Sequence, residues 1–244
     1  MRNLKVIMAY KGTNYHGYQI QPNAVTVQGV VEERLSKVLN EPVTIVGCSR
    51  TDTGVHAKGY VFNVHTNSSI KTIGLVRGMN SLLPNDISFL QCEEVPEEFH
   101  SRFDCKYKEY MYLIHCSESK NPFAEDLQYH YRRPVHLDLM QEACRHYIGT
   151  HDFRSFSACK DLDYNTVRTI FDFNMEYKDQ TLKILVKGDG FLYNMVRILV
   201  GTLLDVNEGY ILPNSIPDIL NAKDRLKAGR TAMPHGLYLN KVYY

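Results

Sequence analysis

The stretch from Val46 to Ala57 reads VGCSRTDTGVHA and sets Arg50 and Asp52 two residues apart between Gly47 and Gly54. Three kinds of chemistry fit such a carboxylate. It can close an Asx-type turn, form a local ion pair with Arg50, or act as an ionised nucleophile or base. A neighbouring guanidinium favours the charged form, and the glycines let the backbone come close to a ligand. Spacing alone leaves all three readings open. His56 lies two residues past Gly54 and invites an acid–base role, against the plainer reading of a structural imidazole. Farther along, KEYMY carries Tyr110 and Tyr112 on an alternating segment, where core packing is the ordinary role of a tyrosine. NMVRILVG sets Arg197 among apolar neighbours, where an unpaired cation would be costly.

Elements must hold these residues. Leu4, Val6, Met8 and Tyr10 alternate as in a half-buried strand. Thr26 is the expected N-cap of a helix with Val27, Val30, Val31, Leu35 and Val38 on its apolar stripe. Short strands are expected at 43–46 and 60–65, so the Asp52 motif sits in a strand-to-strand connection that a rigid sheet can hold. Tyr110, Tyr112 and Ile114 share one face of a strand, with Met111 and Leu113 on the other. Asp138 is the expected cap of a helix through Tyr147. Phe171, Phe173, Met175 and Tyr177 share a strand face, and 181–186 answers it across the KDQ turn. Helical spacing runs from Phe191 to about Val206, and GLYLNKVYY closes as a strand. This pattern predicts an α+β fold with a mixed or antiparallel sheet. A boundary is expected near residues 103–110, dividing 1–105, which carries the Asp52 loop, from 106–244, or else within SESKNPFAED, and both halves can share one continuous sheet.

Composition narrows the function classes. The 244 residues are 23% charged and 44% apolar, an ordinary globular balance with net charge +1. Any phosphate-binding surface is therefore a local patch. The six cysteines include no C-x-x-C pair and the ten histidines no H-x-x-x-H pair, so no metal site is expected and the thiols read as reduced core residues. The chain also shows no Rossmann glycine fingerprint and no P-loop. No apolar run approaches the roughly 20 residues of a membrane span, and the N-terminus reads directly as a strand, so the expected compartment is the cytoplasm.

The blocks AYKGTNYHGYQIQPNAVTVQGVVEERL, GCSRTDTGVHA, NSLLPNDI, FHSRFDCKYKEYMYLI, GTHDFRSF, GFLYNMVRILVGTLL and AGRTAMPHGLYLNKVYY, in this order, resemble the TruA family of tRNA pseudouridine synthases. The resemblance runs from about Val6 to Tyr244. It implies a pseudouridine-synthase-like α+β fold, with a sheet shared by two similar halves, helices on its faces and a cleft across the middle. It implies isomerisation of uridine to pseudouridine at positions 38, 39 and 40 of the tRNA anticodon arm, with tRNA as partner, a homodimer as assembly and no cofactor.

By the same resemblance Asp52 is the nucleophile, and attack on the sugar and promotion of 2′-proton loss both stay open. Arg50 holds the carboxylate and fills the space of the flipped base. Tyr110 stacks on the uracil, Arg197 pairs with Asp52 and Leu237 packs on the base's other face. The resemblance assigns His56 no catalytic role. Arg102, Lys106, Lys108, Arg154 and Lys160 are candidates for tRNA backbone contacts. Tyr15, Tyr18, Ser49, Thr53, Tyr193, Asn194 and Arg230 depart from the family's usual residues. A tRNA-binding protein without catalysis and an aspartate-nucleophile hydrolase are the rival readings. The first has no use for a reactive carboxylate, and the second lacks the matching second carboxylate.

Overall fold

The computed structural model describes residues 1–159 and 164–244, so Lys160 lies outside the described residues. In chain order the elements are β1 (Arg2–Tyr10), α1 (Val27–Leu39), β2 (Val46–Gly47), β3 (His56–Thr66), α2 (Thr72–Leu82), β4 (Ile87–Val95), β5 (Tyr107–Cys116) and β6 (Tyr129–Tyr131). They continue with α3 (Leu137–Arg145), β7 (Gly149–Asp152), β8 (Val167–Lys178), β9 (Thr181–Gly188), α4 (Met195–Asn207), α5 (Ile216–Ala222) and β10 (Leu237–Tyr243). The class is α+β with mixed strand pairing, as the sequence pattern predicts. No described helix is long and apolar enough to cross a membrane.

Two compact units divide the chain: Met1–Lys106 with Tyr238–Tyr244, and Tyr107–Leu237. The sequence reading put the whole C-terminus in the second half. Instead the closing strand joins the first unit, because β10 pairs in parallel with β3, Tyr238 opposite His56 and Leu239 opposite Ala57.

In the first unit β1 runs antiparallel to both β3 and β4, and β2 adds to β3. Leu4, Val6 and Met8 are fully buried, as the alternation requires. Thr26 caps α1 by accepting from the Gly29 N–H, and Asn40 ends it in the left-handed region at φ 55°. The buried stripe is Val27, Val31, Leu35 and Leu39; Val30 and Val38 fall at its margin and are half-buried. The segment carrying α2 and β4 shows weak periodicity in sequence and was not expected as regular structure. Its helix packs on β4 and α1.

The second unit orders its strands β5-β9-β8-β7, each antiparallel to the next, with β6 parallel alongside β5. The β8–β9 hairpin turns at Asp179 and Gln180, both at positive φ (48° and 61°), which suits the right-handed twist of the flanking strands. Three expectations need correction here. A register irregularity between Ile170 and Asp172 moves Phe171 out of the buried row, leaving it 49% exposed while Phe173 is buried. Helix α3 starts at Leu137, so Asp138 sits in the first turn, where it complements the helix dipole, and His136 takes the cap position. Helix α4 starts at Met195, because Asn194 holds the left-handed region at φ 59°. Helix α4 is buried almost all round and packs on α3, which in turn covers β8. Of the cysteines, Cys48, Cys116 and Cys144 are buried, whereas Cys92, Cys105 and Cys159 are partly exposed.

One buried polar pair ties the first unit together. The Asn3 amide donates to the carbonyls of Pro96, Glu97 and Phe99. Asn63 donates to Asn3 Oδ1 at 3.1 Å and accepts from the Ser101 N–H at 2.9 Å. Asn63→Ala removes both bonds and strands two buried partners. The variant should lose about 2 kcal/mol of unfolding free energy in urea titration, several times the effect of a surface asparagine.

Candidate catalytic loop and associated residues

Residues 48–55 leave β2 and re-enter β3 as a loop whose backbone is held at nearly every step. The Cys48 N–H donates to the Val61 carbonyl at 2.9 Å. The Tyr60 hydroxyl donates to the Ser49 carbonyl. The Thr51 carbonyl accepts from the Tyr18 N–H at 3.2 Å, and the Thr51 hydroxyl bonds the Tyr10 hydroxyl at 2.8 Å. A tight turn then closes from the Val55 N–H to the Asp52 carbonyl at 3.1 Å, with Gly54 at φ 77°. The Gly54 N–H donates to the Tyr15 carbonyl at 3.4 Å. Asp52 is half-buried on this turn.

Arg50 is exposed, and among the described residues its side chain forms no hydrogen bond or ion pair. A solvated guanidinium keeps its hydration, so the local Arg50–Asp52 ion pair weighed from the sequence is not what holds the loop. His56 is buried, and its Nδ1 accepts the Gly12 N–H at 2.9 Å. An accepting Nδ1 leaves the ring proton on Nε2, and the imidazole packs on Tyr238 with centroids 4.7 Å apart. Both contacts suit the plainer reading of a structural imidazole.

The second unit carries Tyr110, Arg197 and Leu237. Tyr110 is on β5, 6% exposed, with Phe191 set edge-on to its ring at 5.0 Å. Arg197 is half-buried on α4. Its Nε donates to the Ala232 carbonyl at 2.8 Å and its Nη1 to Asn194 Oδ1 at 2.9 Å, while the Ala232 N–H returns a bond to the Arg197 carbonyl. Asn194 thus accounts for its departure from the family pattern: it adopts the left-handed start of α4 and fixes the guanidinium. Tyr112 is core, as expected, and its hydroxyl donates to the Met233 carbonyl at 2.7 Å. Leu237, 4% exposed, begins β10.

The segment linking these carbonyls to Leu237 is clamped by Arg230, another departure. Its guanidinium pairs with Asp205 at 3.2 Å and with Glu208, whose carboxylate also meets Arg133 at 3.3 Å and accepts from the Tyr131 hydroxyl. The Arg230 N–H bonds Asp205 Oδ2, and the Gly229 N–H bonds the Thr202 hydroxyl. Sequence reasoning missed this clamp because its acids, Asp205 and Glu208, close a helix that reads as plain core. Among the proposed backbone contacts, Arg102 and Lys106 are exposed and Lys108 is half-buried. Arg154 is also half-buried, and its Nε is buried with no hydrogen-bond partner among the described residues.

A family model described as tRNA pseudouridine synthase matches residues 6–104 and 143–244, and the chain belongs to that family. It is an isomerase that converts uridine to pseudouridine in tRNA. Among its relatives, the tRNA pseudouridine synthase A of Thermoanaerobacter sp. and that of Acetivibrio thermocellus are each 44% identical over 244 residues. That of Clostridium acetobutylicum is 45% identical over 244 residues, and all three alignments cover 100% of both chains.

The Arg230 clamp has a pH signature. The hydrogen bond from Arg230, ahead of the opposing effect of burial, holds the Glu208 carboxyl below its ordinary value of 4.5. An acid with a depressed folded pKa stabilises fully above its unfolded value, and that stability drains as pH falls through the folded one. Arg230→Ala should lower Tm at neutral pH and lose less additional Tm than wild type between about pH 5 and pH 2. Thermal melts across that window check both.

Proposed function

We propose that the enzyme acts on the anticodon arm at positions 38, 39 and 40, with Asp52 as nucleophile. The observation that carries this is the loop on which Asp52 sits, held by backbone bonds on both sides of the carboxylate. The reaction breaks the bond from N1 of uracil to C1′ of ribose and forms one from C5 to C1′. The C5 proton leaves and N1 gains one, so atoms and electrons balance without cofactor. Breaking that bond inside a stem or loop requires the base to leave its stack.

Arg50 is the side chain assigned to fill the vacated space, and an exposed guanidinium with no bond to another described residue suits that task. Tyr110 offers an aromatic face to the flipped uracil, and Phe191 keeps its ring from turning. Arg197 is assigned to the carboxylate, and two hydrogen bonds limit where its guanidinium can go. Leu237 is the apolar contact, and Arg102, Lys106 and Lys108 are the favoured phosphate contacts. The same reading places the enzyme in the cytoplasm as a homodimer, with a sedimentation mass twice 28.2 kDa.

Asp52→Asn, with an unchanged melting curve, should lower the rate of pseudouridine formation in an anticodon-arm transcript by more than about a thousandfold. Retention of the wild-type rate would sink the nucleophile assignment. Pseudouridine mapping in tRNA from cells lacking the protein should show loss at positions 38, 39 and 40 and elsewhere none.

A further inference from the structure

Three buried tyrosines, from three separate segments, lie against the start of the Asp52 loop. Tyr60 on β3 is fully buried, Tyr18 is 3% exposed and Tyr10 on β1 is 4% exposed. The Tyr18 and Tyr60 rings stack with centroids 4.3 Å apart, and Tyr10 tilts against Tyr60 at 5.7 Å. Each reaches the loop by a different atom: the Tyr60 hydroxyl to the Ser49 carbonyl, the Tyr18 N–H to the Thr51 carbonyl, and the Tyr10 hydroxyl to the Thr51 hydroxyl. Space around the deck is closed, since a Cβ at Gly47 would collide with the Tyr60 hydroxyl and the Tyr18 ring. Tyr60 therefore has no room to swing away from Ser49.

We propose that Tyr60 is a positioning residue of the reaction, whose hydroxyl, locked by Tyr18 and Tyr10, sets the path of Ser49–Thr51 and so where the Asp52 carboxylate stands. Burial pushes the Tyr60 hydroxyl well above its ordinary pKa, so it stays protonated and keeps donating across the working pH range. The proposal rests on the assignment of Asp52 as nucleophile. Its physical basis is that a reactive group displaced by about 1 Å loses rate out of proportion to any change in binding. Because the three tyrosines meet one strip of backbone, removing one hydroxyl should weaken what the others achieve.

The test compares Tyr60→Phe, Tyr10→Phe, their double variant and Tyr147→Phe by single- and multiple-turnover kinetics on a tRNA transcript, with melting curves for each. Tyr147 is a fully buried tyrosine of the second unit and controls for losing a buried hydroxyl as such. Tyr60→Phe should lower kcat about tenfold with KM within twofold of wild type, while Tyr147→Phe keeps the wild-type kcat. The double variant should lose less than the product of the two single losses. Faster amide exchange confined to residues 49–54 in Tyr60→Phe would support the same placement. Equal kcat in Tyr60→Phe and wild type, or equal losses in Tyr60→Phe and Tyr147→Phe, overturns the proposal. Should Tyr60→Phe fold poorly, the exchange and kcat of Tyr10→Phe decide in its place, with unchanged values counting against it. With Asp52→Asn inactive, a wild-type Tyr60→Phe sinks only the positioning role; an active Asp52→Asn sinks both.

Discussion

The parallel pairing of Tyr238 and Leu239 with His56 and Ala57 constrains the order in which this chain can close. Parallel neighbours need a long crossover, because a tight turn can only reverse a strand. Here the crossover is the whole of the second unit, so β10 closes the first unit only after the second has been made. The pairing also starts β3 at His56, immediately after the Asp52 turn. His56 itself is anchored twice, by the Gly12 N–H and by the ring of Tyr238. The loop thus hangs from a strand end that is fixed by residues from both ends of the sequence.

The two units hold the side chains assigned to the reaction by different means. In the first, backbone bonds and tyrosine hydroxyls shape a loop. In the second, ion pairs do the work: Arg230, Asp205, Glu208 and Arg133 surround a turn of α4 and fasten the 229–232 segment beside Arg197. Glu208 is nearly buried, and a buried carboxylate is tolerated only with several donors around it. It has three, from Arg230, Arg133 and Tyr131. The bonds that Arg197 makes to Ala232 and Asn194 are short and local. Their geometry depends on that segment staying where the ion pairs put it.

Residue patterns carried a good part of this. The alternation of Leu4, Val6 and Met8, the Thr26 cap and the KDQ hairpin are local signals, and local physics decides them. The Asp52 motif was legible as chemistry only through its company of other motifs, since R-T-D in a turn has several ordinary uses. What could not be read depends on contacts distant in sequence. Strand alternation says which face Tyr60 takes but not that its hydroxyl ends on Ser49. Nothing in an apolar helix announces that Asp205 and Glu208 will face Arg230. The return of β10 to β3 is likewise invisible in GLYLNKVYY, which reads equally well as the end of the second half. The start of α4 was misplaced for a related reason: apolar spacing continues through Phe191 and Leu192, and only the backbone at Asn194 breaks it.

The bonds that hold the path of the Asp52 loop run through hydroxyls, amides and carbonyls. Contacts between lysine or arginine and a nucleic-acid backbone weaken steeply as salt rises, because counterions compete for the phosphates. Neutral hydrogen bonds in a dry interior feel almost none of that competition. The path of the loop backbone is thereby set by bonds that ionic strength hardly reaches, whatever salt does to contacts with phosphate.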